Sequence, residues 1–548
     1  MWSNTARRTK VVAVATGMAF VSLIGAQANA APGGTSQEAD GMGQSQLPLK
    51  ADDLLVSRLV YVGAPGLLTP GQTVLPPGCP SGCATATYDG TYPQVFNNNL
   101  VDGSFGVTAP IILDEMTAAG HIVGSLTVPV GKDGKDHGRP ADRLVGSFSS
   151  KSELALNLSP DGRSLTFTGY VAPVNALDVS NSNTPGVVDP SNPVPGRNYR
   201  AVAVMDHSGH FSFTETNVYS GNNARAAILN DTGHHPVIYA AGNAGNGGDP
   251  QPAGIITGTG AQILNPQHRP ESAQSPGAPT PVGSFSITQL GKPADKIGKD
   301  TNFNALAIHD NVLYFTKGSG GNGVNTVYFL DTTGTACPQG GVGVPAADAQ
   351  LPDSGIAYDP NRVQTDGVTP YNMCILKGFP TDLKTKAFFP SGVWFADDNT
   401  LYVTQQGDAK AFADPTKQKT GGLQKWTRQA DGSWKAAYTV QGGLDLGTPY
   451  TVPGYPTGNN PATGQPWAPA TDGLRAIAGR HNPDGSVTLY AATATISGSG
   501  DVGADPNKLV ALTDQPAATS PAVNEAFTVL RNAQAGEILR GVSLTPTR

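Results

Sequence analysis

The sequence predicts an all-β fold: a β-propeller of six or seven four-stranded blades, closed by pairing of the N- and C-terminal strands. Three observations predict it: a composition hostile to helices, a hairpin pattern that recurs along the chain, and a lone strand-like copy near the C-terminal end. Gly (68) and Pro (45) make up about a fifth of the 548 residues, and both are poor in helix interiors. Hydrophobic residues at 38% and a formal net charge of only −7 exclude wholesale disorder. The acidic balance, with no basic run, argues against nucleic acid as a partner.

Taken in order, residues 1–30 read as a signal peptide. Arg7, Arg8 and Lys10 form a positive n-region, Val11 to Gly25 an apolar h-region, and Ala28-Asn29-Ala30 a small-residue cleavage site. The apolar run is short of the ~20 residues a bilayer span needs, so no stable membrane insertion is expected. The Arg7-Arg8 pair leaves Sec-type and twin-arginine export both open. Residues 31–47 read as a flexible linker and residues 48–548 as a single propeller domain with long loop insertions. The expected location is secreted: extracellular, periplasmic or attached to the cell envelope.

The exported chain keeps four cysteines, an even number in an oxidising compartment. The expected disulfides are Cys79–Cys83, stapling a short loop, and Cys337–Cys374, closing a longer excursion. No cysteine or histidine pair has metal-site spacing, so no metal ligands are assigned. Calcium is compatible with Asp-rich turns such as Asp397-Asp398-Asn399, which serve equally well as hairpin turns.

The repeat is a short apolar strand, a polar turn and a strand rich in Leu, Tyr, Thr and Val. Its copies begin near Leu154, Arg225, Asn304, Ser391 and Arg475, with a half-copy at Arg540-Gly-Val-Ser-Leu544. Each is a hairpin around an Asp-Gly, Asp-Asn or similar turn. Second hairpins lie between them, at Ile111 to Val123, from Tyr328 and at Leu423 to Tyr438. Two hairpins make a four-stranded blade, and blades repeated radially make a propeller. Pairing the orphan strand at Arg540 with the Ile111 hairpin gives six blades, and an extra one from Leu54 to Val62 gives seven. The uneven spacing of the copies disfavours a β-helix.

The Ser391 to Thr404 hairpin resembles the P-x-G-hydrophobic … G-x-LYV unit of secreted NHL and gluconolactonase-like propellers. Leu75-Pro-Pro-Gly-Cys79, Tyr92-Pro-Gln-Val-Phe-Asn-Asn-Asn99 and Val101-Asp-Gly-Ser-Phe-Gly106 resemble secreted bacterial propeller proteins of unassigned function. The resemblance implies a fold and no chemistry, because no catalytic motif maps onto the chain. Gly318 to Gly323 fits GxGxxG but lies between strands and opens no helix. His207, His210 and the His234-His235 pair fit loops better than a metal site.

Superposing the copies places Arg225, Asn304, Ser391, Arg475 and Arg540 at the start of each first strand. In a propeller those strands line the central channel, so equivalent positions form a ring. Three arginines in one ring repel unless an anion lies between them, and their planar forks suit carboxylate or phosphate. Asn222, Asp472 and Glu537 stand three residues upstream, and the last two are candidate acids, bases or calcium ligands. The competing reading pairs Asp472 with Arg475 and Glu537 with Arg540 as buried ion pairs. A second candidate is Tyr92 to Phe105, where Phe96, Asn97, Asn98, Asn99, Asp102 and Phe105 suit glycan recognition or a self-capped loop.

The functional expectation is therefore a binding or cell-envelope platform for a small anionic molecule or glycan at the channel. The alternative is a secreted hydrolase, lyase or lactonase acting on a glycan or ester through channel carboxylates and arginines.

Overall fold

A computed structural model describes residues 48–63, 68–75, 84–86, 89–93, 97–98, 102–128, 144–148, 154–177, 200–216, 218–219, 223–233, 235–243, 260–266, 302–318, 324–337, 341–355, 372–382, 388–409, 418–460, 464, 466–497 and 504–548. Only the backbone is described at 75, 84, 97–98 and 102–106. Cys79, Cys83, Asn222, His234 and residues 1–47 lie outside that set, and with them the signal peptide, the linker and one expected disulfide. No helix occurs among the described residues, and none is long and apolar enough to cross a membrane.

The strands follow from β-branched and aromatic runs that are buried on both faces. Val312–Lys317 (VLYFTK) and Ala224–Asn230 (ARAAILN) are buried along their whole length, as strands sandwiched between neighbouring sheets must be. The turns carry the chemistry the repeat predicts. Asp310 and Asn311 both adopt positive φ, 46° and 58°, and join strands paired at His309 and Val312. That is the type I′ hairpin favoured by the right-handed twist of the strands. In other turns an aspartate Oδ1 accepts the N–H two residues on, among them Asp161 from Arg163, Asp431 from Ser433 and Asp484 from Ser486.

The sheets form a propeller-like ring. Ala224–Asn230 leads a three-stranded sheet, Ala305–His309 a five-stranded one, and Pro390–Asp397 and Ala470–His481 each a four-stranded one. Most of the remainder is one nine-stranded sheet, beside two-stranded pairs of Val74–Leu75 with Ala84–Thr85 and of Asn97–Asn98 with Asp102–Gly106. Glu537–Leu544 lies at the edge of the nine-stranded sheet, followed inward by Leu54–Val60, Thr108–Met116 and Leu144–Ser147.

Leu54–Val60 does not begin an extra blade: it pairs with the last strand on one side and with Thr108–Met116 on the other. Leu144–Ser147 pairs with both Thr108–Met116 and Ser164–Val171. It thereby welds into one sheet two hairpin groups that the repeats present as separate. In place of six or seven uniform blades, the described residues hold four discrete sheets of three to five strands beside the nine-stranded one. The terminal strands do pair, Leu54 opposite Leu544 through Val60 opposite Glu537, but within that single sheet. Among the described residues no strand ladder runs from sheet to sheet.

Apolar packing joins the sheets instead. Val202 and Val204 of the nine-stranded sheet pack on Ala227 and Ile238 of the three-stranded one. One large cluster runs from Tyr239 through Phe315 and Tyr328 to Trp426. Tyr402 and Leu423 then meet Leu474 and Leu489, and Tyr490 and Leu509 meet Leu54, Met116 and Leu539. Close approach of the inner strands needs glycine: a Cβ on Gly392 would stand 2.8 Å from the Arg475 carbonyl, and one on Gly541 2.2 Å from that of Leu154.

The Cys337–Cys374 disulfide is present, spanning 37 positions. It ties the Asp331–Cys337 turn to Met373–Leu376, the strand on which Gly341–Gly343 forms a short parallel edge.

Candidate functional site

The inner ends of four sheets converge on one cavity. Asn157, Leu539 and Arg540 come from the nine-stranded sheet, and Asn304 to Leu306 from the five-stranded one. Ser391 to Val393 with Gln406, and Arg475 to Ile477, come from the two four-stranded sheets. The cavity leaves about 60 Å³ accessible to the centres of water molecules, room for roughly four to six waters. It suits a small molecule, or the terminal group of a longer one.

Four of the five expected ring positions line it: Asn304, Ser391, Arg475 and Arg540. Arg225 does not. It is buried behind the wall, where its Nη1 donates to the Asn304 side-chain oxygen and to the Phe303 carbonyl. Arg225 is therefore a positioning residue for Asn304, whose Nδ2 donates onward to the Pro390 carbonyl at 3.3 Å.

Polar groups of the inner strands bond to the next sheet around the ring. Asn157 Nδ2 donates to Ala227 O at 2.9 Å. The Ser391 hydroxyl lies 2.8 Å from Leu474 O and 3.1 Å from Arg475 O. Its lone proton serves the neighbouring strand, which removes Ser391 as a ligand donor and leaves it as wall. Arg540 Nη2 donates instead within its own sheet, to Phe148 O just past Leu144–Ser147, at 2.6 Å, which fixes one edge of its guanidinium.

The upstream carboxylates part company with the ring. Glu537 pairs with Arg58 at 2.9 Å and with Arg531 at 3.6 Å, and the expected Glu537–Arg540 pair is not what its carboxylate makes. Asp114 completes this network, bonded by Arg58 at 2.7 Å and by Arg531. Burial alone would push Asp114 up; Arg531, Arg58 and the Ser125 hydroxyl outweigh it and hold the carboxyl below its ordinary value. With two positive and two negative groups, the cluster is a neutral joint between sheets.

Asp472 lies beside the cavity, against Gly407. Its Oδ1 accepts from Gln418 Nε2 and its Oδ2 from Ala409 N at 3.1 Å. Burial pushes its pKa up to about 7, with the Ala409 N–H and Arg475 pulling against it.

The other sequence candidates resolve as turns or fall outside the described residues. Asp397 Oδ1 accepts from Asn399 N, and Asp398 Oδ1 meets His309 Nε2 at 3.0 Å. Asp206 Oδ1 accepts from Ser208 N and His210 N. Tyr92 packs among Tyr61, Phe148 and Tyr455, while the side chains of Phe96, Asn97, Asn98, Asn99, Asp102 and Phe105 are outside the description. The one cluster of metal-ligand types among the described residues is Asp331 with Cys337 and Cys374, whose sulfurs are joined to each other.

Sequence reasoning missed Asn157 and Gln406. Asn157 lies in the copy that begins near Leu154, in a two-residue strand, and that copy contributed no position to the superposed ring. Gln406 ends the second strand of its hairpin, away from the superposed first-strand positions.

No protein-family model matches the chain, and no curated protein matches its sequence. Among solved structures it is similar to a PL25 ulvan lyase bound to -[GlcA(1-4)Rha3S]-, with TM-score 0.31 and 10% identity, covering 88% of this chain and 95% of that one. A second structure of PL25 ulvan lyase gives 0.30 and 10%, covering 79% and 88%. An acylaminoacyl peptidase in complex with a chloromethyl ketone gives 0.26 and 9%, covering 80% of this chain and 44% of the peptidase. At such scores these likenesses supply no chemistry, and the NHL and gluconolactonase resemblance rests on the Ser391 hairpin alone.

Proposed function

We propose that this is an exported binding protein whose axial cavity takes a small anionic group, such as the carboxylate of an acidic sugar. The observation that carries the reading is the convergence of Arg475 and Arg540 on one small cavity with Asn157, Asn304 and Gln406. Guanidinium forks read a carboxylate, amides read neighbouring hydroxyls, and Leu306, Ile477 and Val542 supply apolar walls. The Cys337–Cys374 bridge suits the oxidising compartment to which an exported chain would be delivered.

The catalytic alternative has one observation in its favour, the elevated titration of Asp472. A hydrolase, lyase or lactonase would need that carboxyl aimed at the reacting atom. Both of its oxygens are instead bonded, to Gln418 and to Ala409, so binding is the better reading. The test is calorimetric titration with galacturonate, using galactose as the neutral control, on the wild type and on Arg540→Gln.

A further inference from the structure

A second cleft lies away from the axis, between the five-stranded sheet and the Pro390–Asp397 sheet. It offers about 210 Å³ to water centres, against about 60 Å³ in the axial cavity. Tyr314, Phe395 and Trp434 form its floor, and His309, Asp310, Asp398 and Arg428 its rim. The rings are mutually fixed. His309 stacks on Phe395 at 4.3 Å, Tyr314 lies 4.6 Å from Phe395, and Trp434 meets Phe395 edge-on at 5.9 Å. Asp398 holds the His309 ring at 3.0 Å.

Tyr314 is the informative residue. It is only 5% exposed, yet among the described residues its hydroxyl makes no hydrogen bond, and it is not sealed from solvent. A phenol buried to this degree ordinarily finds a partner. Burial pushes its pKa up, with Arg428 opposing and Asp310 and Asp398 adding to the rise. The hydroxyl is thus a protonated donor on a residue that lines a cleft whose rim carries both donors and acceptors.

We infer that this cleft binds one neutral sugar unit of a glycan, its apolar face against the aromatic floor and its hydroxyls read by Tyr314, Asp310, Asp398 and Arg428. Two rim carboxylates repel an acidic sugar, and Arg428 repels the cationic ligands that aromatic cages otherwise favour. The mixed rim therefore selects a neutral polyol, a different ligand from the one the arginine-lined axial cavity takes.

The test uses the whole exported chain with neutral hexaoses of β-1,4-linked glucose, xylose and mannose. Saturation-transfer NMR detects binding. At least one hexaose binds, Tyr314→Phe and Arg428→Gln each weaken it by roughly three- to tenfold, and Arg540→Gln leaves it unchanged. Tyr314→Phe keeps the ring, and a wild-type near-UV circular dichroism spectrum certifies its fold. Absence of binding to all three hexaoses at millimolar concentration overturns the proposal. So does binding that Arg540→Gln abolishes and Tyr314→Phe does not touch, which would place the sugar in the axial cavity.

Discussion

Arg58 meets Glu537 at 2.9 Å across 479 positions of the chain. The contact sits where the first and last strands pair, and Asp114 and Arg531 complete it from a third strand and from the adjacent sheet. Removing one member leaves its partners buried and uncompensated. Asp114→Ala is expected to lower unfolding free energy by about 3–5 kcal/mol, measured by urea denaturation. A loss below ~1 kcal/mol, the size of an exposed surface pair, would show that the cluster does not hold the sheets together.

The disulfide makes an independent stability prediction. Cys337 and Cys374 close a loop of 37 positions, for which chain entropy gives about 3–4 kcal/mol. The Cys337→Ser, Cys374→Ser double variant should unfold at correspondingly lower denaturant, and the wild type should match it under reducing conditions. Equal midpoints for oxidised wild type and the double variant would contradict this.

Asp472 predicts a pH dependence. Its pKa is raised from 3.8 to about 7 in the folded chain, so the folded state holds a proton that the unfolded state releases. That contribution is fully present below pH ~4 and is lost as pH rises through about 7. Glu215, pushed up to about 7 by burial, acts with the same sign. Between pH 5 and 8 the wild-type Tm should therefore fall more steeply than that of Asp472→Asn, which keeps the components of the other raised carboxyls, Glu215 and Asp231 among them. Parallel Tm profiles would refute the assignment.

Arg225 and Arg540 separate positioning from contact. Arg540 lines the cavity, whereas Arg225 stands outside its lining and bonds Asn304, which lines it. Arg540→Gln should weaken galacturonate by roughly 10- to 150-fold, as loss of a charged hydrogen bond does. Arg225→Lys, which keeps the charge and loses the fork, should weaken it less and shift the amide resonances of Asn304. Equal losses would place Arg225 in the site itself.

Much of the ring was legible because the repeat is local. An apolar run, an Asp-Gly or Asp-Asn turn and a second run fix a hairpin within about 15 residues. Superposing those hairpins aligned Asn304, Ser391, Arg475 and Arg540 on one cavity. The blade count was not legible, because it depends on Leu144–Ser147 pairing on both sides, and four residues carry too little pattern to announce that. The partners of Glu537 were hidden for a related reason. Spacing of three residues suggested Arg540, while the chain brings Arg58 and Arg531 to it from other strands.

The measurement closest to the central claim is calorimetric titration of galacturonate and galactose into the wild type and Arg540→Gln at low ionic strength. The account predicts saturable binding of galacturonate, at least tenfold weaker binding of galactose, and loss of the preference in Arg540→Gln. Equal affinity for the two sugars, or galacturonate binding indifferent to Arg540, would contradict an anion site at the axis.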